Sequence, residues 1–127
     1  MTTAHDRRRE TGAAAEAAVA ERLAAEGYAI EARNWRCATG ELDIVALRDD
    51  LIAFVEVRSA TTDFLESPAN TVLTTKQARV ARAADAYLRA RGRVPARIRF
   101  DVVAVTWREG RANIDYYENA FVPRSAF

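Results

Sequence analysis

Two carboxylates sit where strands are otherwise apolar. Asp43 lies in the segment GELDIVAL (Gly40–Leu47), amid Leu42, Ile44 and Val45. Glu56 lies in LIAFVEVR (Leu51–Arg58), amid Phe54, Val55 and Val57. An ionised carboxylate moved into low dielectric must find a cation, gather hydrogen bonds or become neutral. Period-two alternation puts Glu41, Asp43, Val45 and Leu47 on one face of the first segment, and Ile52, Phe54, Glu56 and Arg58 on one face of the second. Two acids therefore project from adjacent strands and repel each other. A divalent cation answers both problems, and carboxylates with water and a backbone carbonyl suit Mg²⁺ or Mn²⁺. The other reading is a pair of half-buried ion pairs, Asp43 with Arg36 or Arg58 and Glu56 with another arginine. A single cysteine, Cys37, and a single histidine, His5, exclude a disulfide scaffold and a Cys/His zinc cluster, so any metal must be held by oxygen.

The second chemical feature is cationic. The net charge is only +1, which taken alone argues against a nucleic-acid partner. Yet Lys76, Arg79, Arg82, Arg89, Arg91, Arg93, Arg97 and Arg99 crowd between positions 76 and 99, opposed there by Asp85 alone. Such asymmetry creates a local basic footprint for phosphate on a nearly neutral protein; a solvated helix face is the plainer explanation. Trp35, Trp107, Phe54 and Phe100 could stack on bases, but aromatic residues in strands mostly fill cores. Cys37 lies in a turn beside Arg36 with no partner that could serve as its catalytic base, and reads as a bystander.

The elements that must position these groups follow from periodicity and turn signals. An alanine-rich helix is expected over 10–27, with Thr11 as its N-cap and Gly27 as its stop. A strand follows over 28–35. Gly40–Leu47 and Leu51–Arg58 then form a hairpin turning at Arg48, Asp49 and Asp50. A Ser-, Thr-, Asn- and Pro-containing connection over 59–75 is long for a compact domain, and such loops are often functional. Lys76–Arg91 reads as an amphipathic helix with a basic polar face. Ile98–Trp107 reads as a buried strand, and Arg111–Glu118 as an edge strand. The expected architecture is α/β, a mixed β-sheet flanked by helices in the order αβββαβ. One domain over 10–121 accounts for the length, with a flexible arm over 1–9 and a tail over 122–127. No apolar run approaches the roughly eighteen residues that span a bilayer, and the N-terminal dozen lacks an apolar signal core, so a cytoplasmic protein without membrane partners is expected.

Several short motifs occur in order: Gly12 and Glu16, Gly27-Tyr28, Arg33-Asn34, GELDIVA (Gly40–Ala46) and FVEV (Phe54–Val57). Ser67-Pro68, Lys76-Gln77, RFDVV (Arg99–Val103) and ENAF (Glu118–Phe121) continue the series. In these the chain resembles the YraN family of bacterial proteins, whose members look like restriction-endonuclease-type, or PD-(D/E)XK, nucleases. The resemblance covers nearly the whole chain and implies a single restriction-endonuclease-like core. It implies that Asp43 and Glu56 hold a metal, that the Val57 carbonyl could be a further ligand, and that Glu16 is the helix-one acid that binds through water or completes the shell. The reaction implied is metal-dependent hydrolysis of phosphodiester bonds, most naturally in DNA, with Lys76, Gln77, Arg79 and Arg82 toward the nucleic acid. Cutting both strands of a duplex is easier with two sites, which suits a homodimer.

One position departs from the pattern: Arg58 stands where the superfamily usually has lysine. Arginine stays protonated at physiological pH, so Arg58 could clamp a phosphate but not act as a general base. Lys76, at the head of the basic helix, is a candidate to supply the missing ammonium. Two other functions compete with a nuclease: a nucleic-acid-binding module of the same fold with weak or lost chemistry, and a protein-interaction domain whose acids are internal ion pairs.

Overall fold

A computed structural model describes residues 4–60 and 74–122, with side chains for 12–59 and 76–122. The greater part of the 59–75 connection with Ser67-Pro68, the side chain of His5 and the tail from 123 lie outside the described residues. The order is α1 (Ala4–Ala25), β1 (Ala29–Cys37), β2 (Gly40–Arg48), β3 (Leu51–Ala60), α2 (Thr74–Arg91), β4 (Arg97–Arg108) and β5 (Arg111–Tyr117). The strands form one five-stranded sheet in sequence order, antiparallel except for β3 and β4, which run parallel on either side of the α2 crossover. This is the mixed α/β arrangement that the pattern predicts, consistent with a nuclease-like core.

One helix covers each face. Ala15, Val19 and Leu23 of α1 pack on Ile44, Ala46, Ala53, Val55, Val103 and Val105. On the other face Val80, Ala83, Ala84, Tyr87 and Leu88 of α2 meet Leu42, Val45, Ile52, Phe54, Phe100 and Val102. Central β3 and β4 are therefore buried on both sides, which explains their nearly unbroken apolar sequences. Trp35 meets Tyr87 edge-on at 5.2 Å, and Phe54 stacks on Phe100 at 5.5 Å. These rings fill the core rather than offering themselves to bases.

The connections obey local backbone chemistry. Helix α1 ends in a Schellman arrangement: Tyr28 N–H donates to the Leu23 carbonyl at 3.0 Å and Gly27 N–H to that of Ala24 at 3.1 Å, with Gly27 at φ 93°. The β2–β3 hairpin turns through Asp49 and Asp50, as expected, with Asp49 at φ 55°. The helix start differs from expectation. Backbone helix runs from Ala4, so residues 4–9 continue α1 instead of preceding it, and Thr11 is interior to the helix, not its N-cap. The segment lacks an apolar stripe, which is why periodicity did not reveal it.

A buried polar network fastens the C-terminal end. Asp101 is wholly buried, yet it accepts from Arg99 Nε at 2.8 Å, Arg99 Nη2 at 2.8 Å, the Asn119 N–H at 2.9 Å and the Tyr116 hydroxyl. Arg99 also donates to the Tyr28 hydroxyl at 2.8 Å. Ala120 N–H bonds to the Phe100 carbonyl at 2.9 Å, and Phe121 packs on Phe100. The RFDVV and ENAF motifs are thus two halves of one structural joint.

Candidate functional site

The site is built where the sheet forks. Strand β2 pairs with β3 only from Ile44↔Val55 to Arg48↔Leu51. Beyond that point β2 continues beside β1 to Cys37↔Gly40, while β3 continues beside β4 to Ala60↔Thr106. A strand that leaves its neighbour exposes ladder groups that must be satisfied otherwise. Asp43 does this: its Oδ2 accepts the Val57 N–H at 2.9 Å, replacing the strand that has turned away. The hydrogen bond fixes the carboxylate in the fork. Strict alternation fails there too. Leu42 and Val45 both lie under α2, while Ile44 and Ala46 lie under α1, so Asp43 does not share a regular face with Val45 as period two predicts.

Glu56 is 4% exposed and interacts with Asp43 and Lys76. Burial, then the charge of Asp43, push its carboxyl up to about 8, against the opposing pull of Lys76. Lys76 Nζ stands 3.7 Å from Glu56 Oε2, its side chain 44% exposed. Asp101 makes the comparison instructive, because it too is a buried strand carboxylate. Asp101 is surrounded by a guanidinium, a hydroxyl and a backbone N–H, whereas Glu56 faces another acid and one loosely held ammonium.

Glu16 approaches from α1. Its carboxyl is raised by partial burial first and by Asp43 second, with a hydrogen bond from Asn34 opposing. Glu16 is thus linked electrostatically to Asp43, and no three-acid shell closes: among the described residues no three Asp, Glu, His or Cys side chains are grouped closely enough to hold a metal. An oxygen-loving cation would therefore find two carboxylates here, and water or backbone oxygen would have to complete its coordination. Within that limit the donor set fits Mg²⁺ or Mn²⁺.

These groups line an open cleft of about 1040 Å³, bounded by Glu16, the 36–41 turn, Asp43, Glu56, Val57, Lys76, Arg79 and Val80. The turn is one wall and the N-terminal part of α2 the other. Gly40 makes their contact possible, because a Cβ there would stand 3.1 Å from the Arg79 carbonyl oxygen and 3.6 Å from the Ala83 Cβ. Cys37 Sγ lies 3.3 Å from Thr39 Oγ1 and 3.5 Å from the Gly40 carbonyl within the same turn. Sequence reasoning missed this turn as a wall; its signal was the glycine that opens GELDIVA. Arg82 is exposed one turn beyond Arg79, outside the cleft lining, and Gln77 is half-buried on α2. Arg58 pairs in register with Ala104 and also lies outside the lining. The ion pairs differ from the alternative sketched from sequence: Arg36 meets Glu41 at 3.5 Å, and the cation at Glu56 is a lysine.

Comparison with known proteins places this sequence in a family. The model of the Uncharacterised protein family UPF0102 matches residues 15–105, which include both acids and Lys76. A UPF0102 protein of Myxococcus xanthus is 47% identical over 117 residues, covering 90% of each chain. One from Moorella thermoacetica is 42% identical over 117 residues, covering 90% of this chain and 97% of its own. A third, from Bacteroides thetaiotaomicron, is 37% identical over 114 residues. The motifs attributed above to the YraN family and these matches agree, and the chain belongs to the uncharacterised protein family UPF0102.

Proposed function

We propose that this protein is a divalent-metal-dependent nuclease that hydrolyses phosphodiester bonds in DNA. The observation that carries the reading is Glu56: a buried carboxylate held against Asp43, on the floor of an open cleft with cationic side chains on both walls. Such a pair is costly for a fold to maintain unless a cation uses it. Asp43 and Glu56 would hold Mg²⁺ or Mn²⁺ together with water and the Val57 carbonyl. Bound there, the metal supplies an activated water and offsets charge on the scissile phosphate.

The chain's own contributions are positional. The Val57 N–H orients Asp43. Lys76 and Arg79, on the α2 wall, and Arg36, on the turn wall, attract and align the phosphates flanking the scissile bond. Arg82 extends the basic surface along α2, and Glu16 adds negative charge that favours cation capture. Two copies, each with one cleft, would serve the two strands of a duplex. Arg58 in place of lysine supports the second reading, a DNA-binding module of this fold with weak chemistry.

Cleavage of linear, single-stranded and branched DNA in Mg²⁺ or Mn²⁺ by wild type and Asp43→Asn tests the proposal. Asparagine retains an oxygen to accept the Val57 N–H, so the fold should survive. The expected result is cleavage by wild type and none by the variant, whose melting temperature in metal-free buffer should be no lower than that of wild type, because one of two repelling charges is gone. Undiminished cleavage by Asp43→Asn refutes the proposal.

A further inference from the structure

Lys76 has a position that phosphate attraction alone does not explain. It is the third residue of α2, and the first turn of that helix carries no acidic residue. A cation in a helix's first turn opposes the macrodipole, so its placement there is unfavourable unless a nearby anion compensates. The Asp43–Glu56 pair supplies that negative charge, and Glu56 is the member Lys76 meets. At 3.7 Å the contact is longer than the roughly 2.7–2.9 Å of a direct charge-assisted hydrogen bond, and the lysine is nearly half exposed. A single ammonium also cannot neutralise the two carboxylates once both are ionised. The arrangement is a loose, exchangeable pairing on a flexible four-carbon stem.

We propose that Lys76 is the resident counter-ion of the Asp43–Glu56 pair, releasing Glu56 when a divalent cation binds and turning to the substrate phosphate in the same cleft. This rests on the nuclease reading and goes beyond it, because it gives one side chain two successive partners. Electrostatics supply the drive: the acids exchange one positive charge for two, and the displaced ammonium is repelled by the newcomer. The phosphate then meets Lys76 together with Arg79, one turn along the same wall. The ammonium that serves the acids comes from α2, not from the Arg58 position of β3.

The proposal predicts effects of opposite sign from one substitution. Calorimetric titration of Mn²⁺ alone into Lys76→Met should show binding tighter than wild type by on the order of tenfold at low salt, because a repelling charge is gone. DNA cleavage at saturating Mn²⁺ should fall. Lys76→Arg, which keeps the charge, should retain wild-type Mn²⁺ affinity. Unchanged or weaker Mn²⁺ binding by Lys76→Met, undiminished cleavage by it, or tightened binding by Lys76→Arg overturns the proposal while leaving the nuclease reading intact. Absence of both Mn²⁺ binding and cleavage in wild type overturns that reading and this inference with it.

Discussion

Replacing Glu56 by glutamine separates the energetic consequence of the acidic pair from its chemistry. Glutamine matches the shape of a protonated glutamate and can still donate toward Asp43. The wild-type carboxyl rises from an ordinary 4.5 to about 8, first through burial and then through Asp43. A folded value above the unfolded one means that the native state binds the extra proton. Stability from this group is thus fully present below about 4.5 and lost as pH rises through about 8. At about 1.4 kcal/mol per pH unit, the full range amounts to on the order of 5 kcal/mol, shared between the two coupled acids. Urea unfolding in chelator from pH 5 to 9 should give nearly equal stabilities at the acid end. Toward pH 9 Glu56→Gln should become the more stable protein by a few kcal/mol. Parallel stability curves would show that Glu56 is not held ionised at a cost, and the argument for a metal site would lose its basis.

Other perturbations test separate parts of the account. Gly40→Ala drives a Cβ to 3.1 Å from the Arg79 carbonyl and should cost about 1–3 kcal/mol in urea unfolding, with slower cleavage as the turn moves from α2; wild-type stability would contradict the tight contact. Arg99→Met leaves the wholly buried Asp101 without its guanidinium and should cost about 3–5 kcal/mol by the same measurement. A loss below about 1 kcal/mol would mean that Tyr116 and Asn119 suffice for Asp101. Replacing Arg79 and Arg82 together by alanine should lower the slope of log affinity for DNA against log salt by about 2, and an unchanged slope would remove α2 from the interface.

The strands were legible because alternation and unbroken apolar runs report burial directly. The hairpin carrying both acids followed from two such runs around Asp49 and Asp50. What escaped was tertiary. The fork is a place where pairing stops, and nothing local in GELDIVAL announces that β2 departs from β3 at Ile44 or that Leu42 and Val45 turn to the same helix. Asp101 makes the point most sharply. Within IRFDVVAVTW it interrupts an apolar strand just as Glu56 does, yet its partners arrive from Arg99, Tyr116 and Asn119, and it is a structural joint. Sequence shows that a buried acid needs compensation; only the fold shows whether the protein supplies it. Lys76 lies twenty residues from Glu56 and across a connection, so periodicity could place it on a basic helix but not against the acid.

The most direct test of the central claim is a crystal of the protein soaked in Mn²⁺ and measured for manganese anomalous scattering. The account predicts a peak in the fork within coordination distance of one oxygen of Asp43 and one of Glu56, with the Lys76 ammonium withdrawn from Glu56. A fork without manganese, with Lys76 still against Glu56, would contradict it.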